Sequence, residues 1–434
     1  MFAEVSLPIS SFQTFTYLIP ETLEKEAITS VRVQVPFRNR KVSGIIVSLK
    51  GKSSFDGQLK SIIKIDPNSP TLSKELWRLV KWISHYYVTP IGLAYNTVLP
   101  FGLLKGYSPR QAWFAKLNDF GNLSTLEALQ KTSPKQFLAY NNIKKASPNY
   151  LRVSTLKDIS SNPISICKAL QIKGYIDLFK KSENCVKHKI ALNPIKKKIS
   201  YNKEQIDVID KIKSSLKLKI FSSNLLHGVT GSGKTEIFIE SIKTAIEMGK
   251  SSIVLIPEIS LTPQIAGRFK DVFGESVALW HSQLTKNQRA KTWESINAGK
   301  SKIVIGARSA IFSPIKNLGL IIVDEEHDAS YKQESPSPRY HARDVAIMRG
   351  KIESCLVILS SATPSLETFY NYKVKKHNYL SLPNRYGVAV YPKVKVVDLI
   401  DETRDTAKFN IIISGTLQQK IEERLNNNEQ VLLI

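Results

Sequence analysis

Apolar and polar positions follow three different rhythms along the 434 residues of the chain. In residues 1–105, short apolar runs between turn residues predict a β-rich domain, and helical spacing of apolar residues predicts one helix within 73–88. The clearest predicted strands are Val31–Val35, Gly44–Leu49 and Ile62–Ile65. Residues 106–186 change to short helical segments followed by a small strand, which is typical of a winged-helix domain. A lysine-rich linker over 187–202 separates this domain from the rest.

From residue 203 onward, apolar strands alternate with helical segments in a β–α–β rhythm. The strands are predicted in "NLLHGV", "SIVLIP", "KIVIGA", "LGLIIVD" and "CLVILSS". Because these runs are almost continuously apolar, we expect a parallel sheet covered by helices on both faces, an α/β domain over 203–400. Ligands of such sheets bind at the carboxyl ends of the strands, where the motifs described below are found.

Composition narrows the class of protein. The hydrophobic share of 42% and the charged share of 23% are ordinary for a globular protein. No apolar run reaches the roughly 18 residues needed to span a bilayer, and the first ten residues lack the basic and apolar regions of a secretory signal. The cysteines, Cys167, Cys185 and Cys355, are scattered, which argues against a disulfide framework or a cysteine-rich zinc site. We therefore expect a cytoplasmic protein with no membrane partner.

The net charge of +25 points to a particular kind of partner. Lysine and arginine cluster in "VPFRNRK" (35–41) and in "IKKKISYNKEQ" (195–205). Because phosphate binding gains from counterion release and positive charge steers encounter, we expect a polyanion partner. A generally basic, solvated surface is the alternative.

The segment "GVTGSGKT" matches the phosphate-loop pattern GxxxxGK[ST] and joins a predicted strand to a predicted helix. Glycines let the backbone wrap a phosphate, and the helix N-terminus supplies oriented N–H donors. Lys234 is expected to reach the β- and γ-phosphates of ATP, and the Thr235 hydroxyl is expected to bind Mg²⁺. The predicted ATP-binding residues of this loop are Gly228, Val229, Thr230, Gly231, Ser232, Gly233, Lys234 and Thr235.

The segment "LGLIIVDEEHDASYKQ" runs from an apolar strand directly into ionisable residues. In a phosphate-loop ATPase, an acid at the end of a later strand holds Mg²⁺ and a neighbouring acid orients the attacking water. Asp324 suits the first role and Glu325 the second. A strand end in water is the bland alternative. His327 has no partner at zinc-ligand spacing, so a relay between the ATP site and another motif suits it better.

Further polar residues follow other predicted strands. Ser361 and Thr363 in "SSATPS" are interpreted as a coupling element between nucleotide and DNA, although strand termination alone would explain them in isolation. "IPEISLTPQ" and "IGARSA" also lie at strand ends. A groove that follows a DNA strand needs phosphate contacts at such places. The residues predicted to make them are Thr262, Gln264, Arg308 and Ser309.

Read together, the motifs resemble those of superfamily 2 DNA helicases. The wording "GVTGSGKTE", "PEISLTPQ", "ARSA", "DEEHDASYKQ", "RYHARDVA" and "SATPSLE" is similar to that of the PriA family, the primosomal N-prime proteins of bacterial replication restart. The resemblance implies a RecA-like helicase lobe after a domain for DNA 3′ ends, and an ATP- and Mg²⁺-dependent 3′-to-5′ helicase. It also implies forked, single-stranded and 3′-ended DNA as ligands, with primosome and single-strand-binding proteins as partners.

The resemblance also implies roles for individual residues in binding the nucleotide and a DNA 3′ end. Gln205 stands where the family contacts adenine, and Phe15 and Lys60 stand where its 3′-end pocket contributes residues. Thr16 replaces the family's usual aspartate there, and Arg38 replaces a glycine. Recognition of the terminal sugar hydroxyl by an acid is therefore open.

The loop after the acidic motif departs from the family as well. "SPSPRY" stands where a glycine–tryptophan pair is expected, which leaves Tyr331 and Tyr340 as candidates for stacking on DNA bases. Surface tyrosines that merely pack the loop are the alternative.

Other family features are missing after Thr363. Residues 401–434 end in the apolar run "NNNEQVLLI", which is interpreted as the first strand of a second, truncated helicase lobe. The family's arginine motif and paired-cysteine zinc module do not appear, so Zn²⁺ is expected only in a C-terminal part beyond this sequence. A DNA-binding module for forks or single strands without motor activity, or another superfamily 2 translocase, is the alternative function.

Overall fold

The computed structural model describes residues 1–52, 57–66, 71–99, 111–118, 126–147, 149–182, 200–258, 263–387, 393–401 and 412–433. The chain forms two compact units, Met1–Asn384 and Arg385–Ile434. The predicted linker lies outside the described residues except for 200–202. None of the described helices has the length and apolar character needed to cross a membrane.

The N-terminal region contains an antiparallel sheet followed by two helices. Its strands are β1 (Phe2–Ser6), β2 (Phe15–Leu18), β3 (Arg32–Phe37), β4 (Arg40–Lys50) and β5 (Lys64–Ile65), in the order β2-β1-β4-β3-β5. A short 3₁₀ helix, Glu21–Leu23, follows β2, and the helices are α1 (Lys74–Tyr86) and α2 (Ile91–Val98). The three predicted strands fall within β3, β4 and the segment around β5, while β1 and β2 were not assigned from the sequence.

Helix α1 joins the N-terminal region to the large α/β domain. Its N-cap Ser73 accepts a hydrogen bond from the Leu76 N–H at 3.2 Å, and its buried residues recur at helical spacing. Leu76 and Val80 belong to the same hydrophobic core as Val345 and Ala346 of the α/β domain. The two regions therefore share one core, which fixes α1 against the domain that carries the motifs.

In the middle region, the described residues form helices and a small antiparallel sheet. The strands are β6 (Gln111–Leu117), β7 (Leu151–Arg152) and β8 (Ile176–Ser182), in the order β7-β6-β8. The helices are α3 (Leu126–Thr132), α4 (Pro134–Lys145) and α5 (Pro163–Ile172), with a 3₁₀ helix at Val153–Asp158. Short helices and a small strand were predicted here, and the winged-helix assignment stays a prediction.

The α/β domain is built on a seven-stranded sheet in which every paired strand is parallel. Its strands are β9 (Ser222–Gly228), β10 (Ser251–Leu255), β11 (Val277–Trp280), β12 (Ile303–Gly306), β13 (Leu318–Val323), β14 (Leu356–Ser361) and β15 (Asn378–Leu382). The order is β11-β12-β10-β13-β14-β9-β15. The five predicted strands are confirmed as β9, β10, β12, β13 and β14. The short β11 and the partly polar β15 were not recognised from the sequence.

Helices cover both faces of this sheet. They are α6 (Lys203–Lys217), α7 (Lys234–Glu247), α8 (Pro263–Phe273), α9 (Lys286–Asn297), α10 (Ala342–Glu353) and α11 (Leu366–Lys373), with 3₁₀ helices at Gly274–Ser276, Arg308–Phe312 and Ala329–Tyr331. Ile321 and Val323 of β13 enter one hydrophobic core, and Leu320 and Ile322 enter the other. The alternation explains why this strand is apolar throughout, and the prediction of a two-faced parallel sheet is confirmed.

The second unit contains α12 (Gly415–Asn426), whose N-cap Ser414 accepts a hydrogen bond from the Leu417 N–H at 3.0 Å. The first compact unit ends at Asn384, before the boundary predicted at residue 400. Residues 402–411 lie outside the described part. The described residues 428–433 form no strand, and the interpretation of "NNNEQVLLI" as the first strand of a second lobe stays a prediction.

Candidate nucleotide site and DNA-facing loops

The phosphate loop connects β9 to α7 at the carboxyl edge of the parallel sheet. Gly231 and Gly233 have φ angles of 82° and 87°, a left-handed conformation that glycine adopts without strain. A Cβ atom at Gly233 would lie 2.4 Å from Nε2 of Gln205. Space and backbone geometry therefore both require glycine at the last turn before α7.

Two groups in the loop are suited to a phosphate. The Lys234 ammonium donates to the Gly228 carbonyl at 2.8 Å and lies 3.7 Å from Oε1 of Glu325. The Ser232 hydroxyl is buried and has no hydrogen-bond partner within the described residues. A buried donor without a partner costs free energy, and a phosphate oxygen would satisfy it.

Gln205 supports this loop from α6. Its Nε2 donates to the Ser232 carbonyl at 2.9 Å, and its Oε1 accepts from the Asn202 N–H at 3.0 Å as part of a capping box. The side chain is buried, with 2% exposed. In this structure Gln205 thus holds the phosphate loop in place, and its contact with adenine stays a prediction.

Asp324 follows β13 and is largely but not fully buried, next to Lys234 of the phosphate loop. Burial, with the nearby Glu325 carboxylate, raises the pKa of Asp324 to about 6, although Lys234 and the Ser360 hydroxyl oppose the shift. The Ser360 hydroxyl donates to its Oδ1 at 3.2 Å. A buried carboxylate with so little compensation is one that a cation would stabilise.

Thr235 and Asp324 are the residues that fit Mg²⁺. Thr235 opens α7 next to Lys234, and Asp324 supplies an anionic oxygen at the same edge of the sheet. Within the described residues no group of three or more His, Cys, Asp or Glu side chains could hold a metal ion. A site with few protein ligands suits Mg²⁺, which keeps several waters and binds substrate phosphates.

Glu325 and His327 extend the site toward the "SSATPS" segment. Glu325 has a φ of 45°, unusual for a residue other than glycine, and this turn directs its carboxylate to Lys234 on one side. Its Oε2 lies 3.7 Å from Nδ1 of His327, which hydrogen-bonds the Ser361 hydroxyl at 2.8 Å. That hydroxyl also accepts from the Thr363 N–H at 2.9 Å. The predicted catalytic and coupling residues are therefore brought together, with the exposed Thr363 side chain at the outer end.

Glu326, which the sequence interpretation passed over, is the most connected acid of the motif. It is fully buried, and its carboxylate accepts from Arg343 at 3.2 Å and from the Thr368 hydroxyl at 2.8 Å. It also accepts from the N–H and hydroxyl of Ser365 at 2.7 and 3.1 Å. This cluster joins the acidic turn to the start of α11 and to α10. In the sequence Glu326 is only a second glutamate directly after Glu325, and without the fold nothing distinguishes its role.

His227, at the end of β9, is a second residue that the sequence did not reveal. Its Nε2 lies 3.2 Å from the Ala362 carbonyl, which can only accept, and its Nδ1 lies 2.8 Å from the Tyr379 hydroxyl. Nε2 therefore carries the hydrogen, and the tyrosine donates to Nδ1. His227 thus ties β9, one residue before the phosphate loop, to "SSATPS" and to β15.

The residues predicted to contact DNA phosphates at other strand ends differ in exposure and in hydrogen bonding. Gln264 is exposed, whereas Thr262 lies outside the described residues. Arg308 donates to the carbonyls of Ser330 and Lys332, at 3.3 and 2.7 Å. Ser309 is exposed and accepts from Nε1 of a buried tryptophan at 3.0 Å. Their DNA contacts stay predictions.

Tyr331 and Tyr340 do not have the positions that base stacking requires. They are 0% and 1% exposed, and both belong to the hydrophobic core. The Tyr331 hydroxyl donates to the Asp324 carbonyl at 2.6 Å, and the Tyr340 ring contacts Phe312 with centroids 5.0 Å apart. The stacking prediction does not fit because burial of each ring in the core leaves no face for a base. Both tyrosines instead hold the loop against the domain.

The predicted 3′-end pocket lies on the N-terminal sheet. Phe15 is half-buried, with its ring centroid 5.0 Å from that of Phe37, and Lys60 is exposed. The Thr16 hydroxyl donates to the Glu4 carboxylate at 2.8 Å across the β1–β2 pair. Burial acts to raise the pKa of Glu4, but hydrogen bonds from Thr14, Thr16 and Lys50 lower it overall. A carboxylate is therefore present beside Thr16, on the neighbouring strand.

Two protein-family models match parts of this chain. A family model described as "3'DNA-binding domain (3'BD)" matches residues 4–100, and "DEAD/DEAH box helicase" matches residues 202–371. The chain thus contains a helicase domain of the DEAD/DEAH type behind a domain of the 3′-DNA-binding type. Among solved structures, the Hef helicase domain of Pyrococcus furiosus has 22% identity and a TM-score of 0.30, covering 41% of this chain and 37% of that one.

The whole chain also resembles named proteins. It is 36% identical to the Replication restart protein PriA of Chlamydia pneumoniae and 33% identical to that of Bacillus subtilis, and both alignments cover 100% of this chain. It spans 58% and 62% of those relatives' lengths. Over its whole length this chain is therefore similar to replication restart proteins PriA, of which it spans about three fifths, and it contains matches to both domain models.

Proposed function

We propose that this chain provides the ATP-binding lobe and the DNA-binding region of an ATP-driven 3′-to-5′ DNA helicase that restarts replication at forks. The observation that carries the proposal is the approach of Lys234 to Glu325, 3.7 Å apart at the carboxyl edge of a parallel sheet. Similarity to the replication restart proteins PriA supports the proposed DNA substrate, the proposed 3′-to-5′ polarity, and the proposed primosome and single-strand-binding partners.

The proposed ATP chemistry assigns one task to each residue. N–H groups at the start of α7 and the Lys234 ammonium bind the phosphates, and the lysine exchanges its bond to the Gly228 carbonyl for a phosphate oxygen. Thr235 and Asp324 would hold Mg²⁺, which supplies neutralisation of charge on the phosphates. Glu325 orients the attacking water and takes its proton. Because His327 lies 3.7 Å from the Glu325 carboxylate and hydrogen-bonds Ser361 of "SSATPS", His327 and Ser361 are proposed to report DNA binding to that carboxylate.

The DNA contacts are proposed on two surfaces. Phe15 and Lys60, with the Glu4 carboxylate beside Thr16, are proposed to receive a DNA 3′ end. Gln264, Arg308 and Ser309, together with Thr262, are proposed to contact the backbone of a single strand. Positive charge favours both, because the chain carries +25 and phosphate contacts release counterions.

A measurement of nucleotide binding tests the first part of the proposal, the ATP site that contains Lys234. Lys234→Ala removes the cation that faces the phosphates, so we expect binding of a fluorescent ATP analogue with Mg²⁺ to weaken at least about tenfold. Lys243→Ala on the same helix, where the lysine pairs with Glu240 at the surface, is the matched control and should bind normally. Equal affinity in Lys234→Ala and wild-type protein would contradict the proposed ATP site.

A further inference from the structure

We propose that single-stranded DNA stacks on Tyr86, at the end of α1, and reaches it along cations of the ATP-binding domain. The inference rests on the proposed function, since it takes DNA as the ligand, and it assigns a contact on a helix to which no motif points. The aromatic–basic strip is defined as Trp82, Tyr86, Tyr87, Lys332 and Arg308.

The Tyr86 ring has the properties of a stacking platform. It is 57% exposed, and its inner face stacks on Trp82 with centroids 4.8 Å apart and planes 20° apart. Tyr87 adds an edge contact at 4.9 Å. The two neighbouring rings hold Tyr86 in place while its outer side faces solvent. A base can stack there at a small cost in side-chain entropy.

Cations continue the strip from Tyr86 into the ATP-binding domain. The exposed Lys332 ammonium lies 5.7 Å from the centroid of the Tyr87 ring, and Tyr87 contacts Tyr86 directly. The Lys332 carbonyl accepts from Arg308, which is already a predicted DNA contact. A DNA backbone that meets Arg308 and Lys332 is therefore led to the exposed ring.

The two halves of the strip are held together by direct hydrogen bonds. The Tyr87 hydroxyl accepts from the His341 N–H at 3.0 Å, and the hydroxyls of Thr89 and Ser337 lie 3.0 Å apart. Helix α1 also shares the hydrophobic core of the ATP-binding domain. The spacing of ring and cations is thus fixed by the fold, as binding by a preorganised surface requires.

The chemistry of the strip favours single-stranded DNA over a protein partner. An aromatic face next to an ammonium and a guanidinium offers one contact for a base and others for phosphates, which is how proteins bind single strands without sequence preference. Duplex DNA keeps its bases stacked inside the helix and cannot use the ring in this way. The positive net charge complements the same ligand.

The test measures anisotropy of a fluorescently labelled oligothymidylate with conservative variants. Tyr86→Leu keeps an apolar contact with Trp82 but removes the aromatic face, and we expect binding about tenfold weaker. Tyr86→Phe should bind within about twofold of wild-type protein, since the phenyl face stacks equally well. Tyr370→Leu, on an exposed tyrosine of α11, is the matched control and should not change binding.

The lysine is tested through salt dependence. Lys332→Met should reduce the slope of log K against log salt by about 0.7, the value for one phosphate contact on a single strand. Tyr86→Leu should leave that slope unchanged. Wild-type affinity in Tyr86→Leu, or an equal loss in Tyr86→Phe, would overturn the stacking role alone. Failure of wild-type protein to bind DNA at all would overturn the proposed function with it.

Discussion

The phosphate loop and the loop over 328–341 follow strands of the same sheet, but different factors determine their conformations. The phosphate loop needs glycine at φ angles near 85°, a lysine and a hydroxyl, and these requirements act within eight consecutive residues. The second loop is ordered by distant partners, as when the His341 N–H donates to the hydroxyl of Tyr87, the residue after α1. Function that depends on local backbone geometry can be predicted from spacing, whereas function that depends on packing requires the fold.

Arg343→Ala would break the buried cluster that joins the acidic turn before the second loop to α10 and α11. It leaves the fully buried Glu326 carboxylate without its cation, so we expect a loss of about 3–5 kcal/mol in the free energy of unfolding. Chemical denaturation measures the change. Lys211→Ala, which breaks an exposed ion pair with Asp207, should cost less than about 1 kcal/mol. Equal stability of the two variants would show that the buried cluster does not hold the motif.

Asp324 should make the stability of the ligand-free protein depend on pH. Its pKa is raised from 3.8 to about 6, so the folded state binds the proton more tightly than the unfolded chain. The stabilisation is complete below about pH 4 and is lost as pH rises through about 6, on the order of 2–3 kcal/mol. Relative to Asp324→Asn, wild-type protein should therefore lose stability between about pH 4 and pH 7.

Thermal unfolding of both proteins across this range measures the difference. ATP with Mg²⁺ should remove the wild-type loss at about pH 7, because the bound cation stabilises the carboxylate. A difference between the proteins that does not change with pH would contradict the raised pKa.

Tyr331→Phe tests a single hydrogen bond that holds the second loop, and it has the smallest expected effect on stability. It removes the hydroxyl that donates to the Asp324 carbonyl but retains the buried ring, so we expect a loss of about 1 kcal/mol in stability. Affinity for single-stranded DNA should stay at the wild-type value, because no face of the ring is exposed. Lowered DNA affinity without lowered stability would restore the stacking role that the structure does not support.

The sequence predicted the α/β domain well because the central strands of its sheet are buried on both faces and each contains a run of apolar residues. The edge strand β15 was not predicted, because it contains the polar residues Asn378 and Ser381. Motif spacing predicted Lys234, Asp324 and Glu325 as neighbours, and they are. It could not distinguish Glu325 from Glu326, since only the fold turns one toward Lys234 and buries the other against α11.

Tyr331 and Tyr340 show the same limit in the opposite direction. Both look like surface aromatics in a polar loop, and both are buried because α1 and the 3₁₀ helix Arg308–Phe312 pack around that loop. The exposed ring is Tyr86, on a helix more than 200 positions earlier in the chain. Contacts over such separations leave no pattern in the sequence.

DNA-stimulated ATP hydrolysis by Glu325→Gln tests the central claim most directly. The glutamine keeps the size of the side chain but cannot take a proton from water, and Asp324, Lys234 and the phosphate loop are unchanged. With the full-length protein and single-stranded DNA, we predict turnover reduced about a hundredfold or more, with ATP affinity within about threefold of wild-type protein. Wild-type turnover in Glu325→Gln would contradict the account of this site.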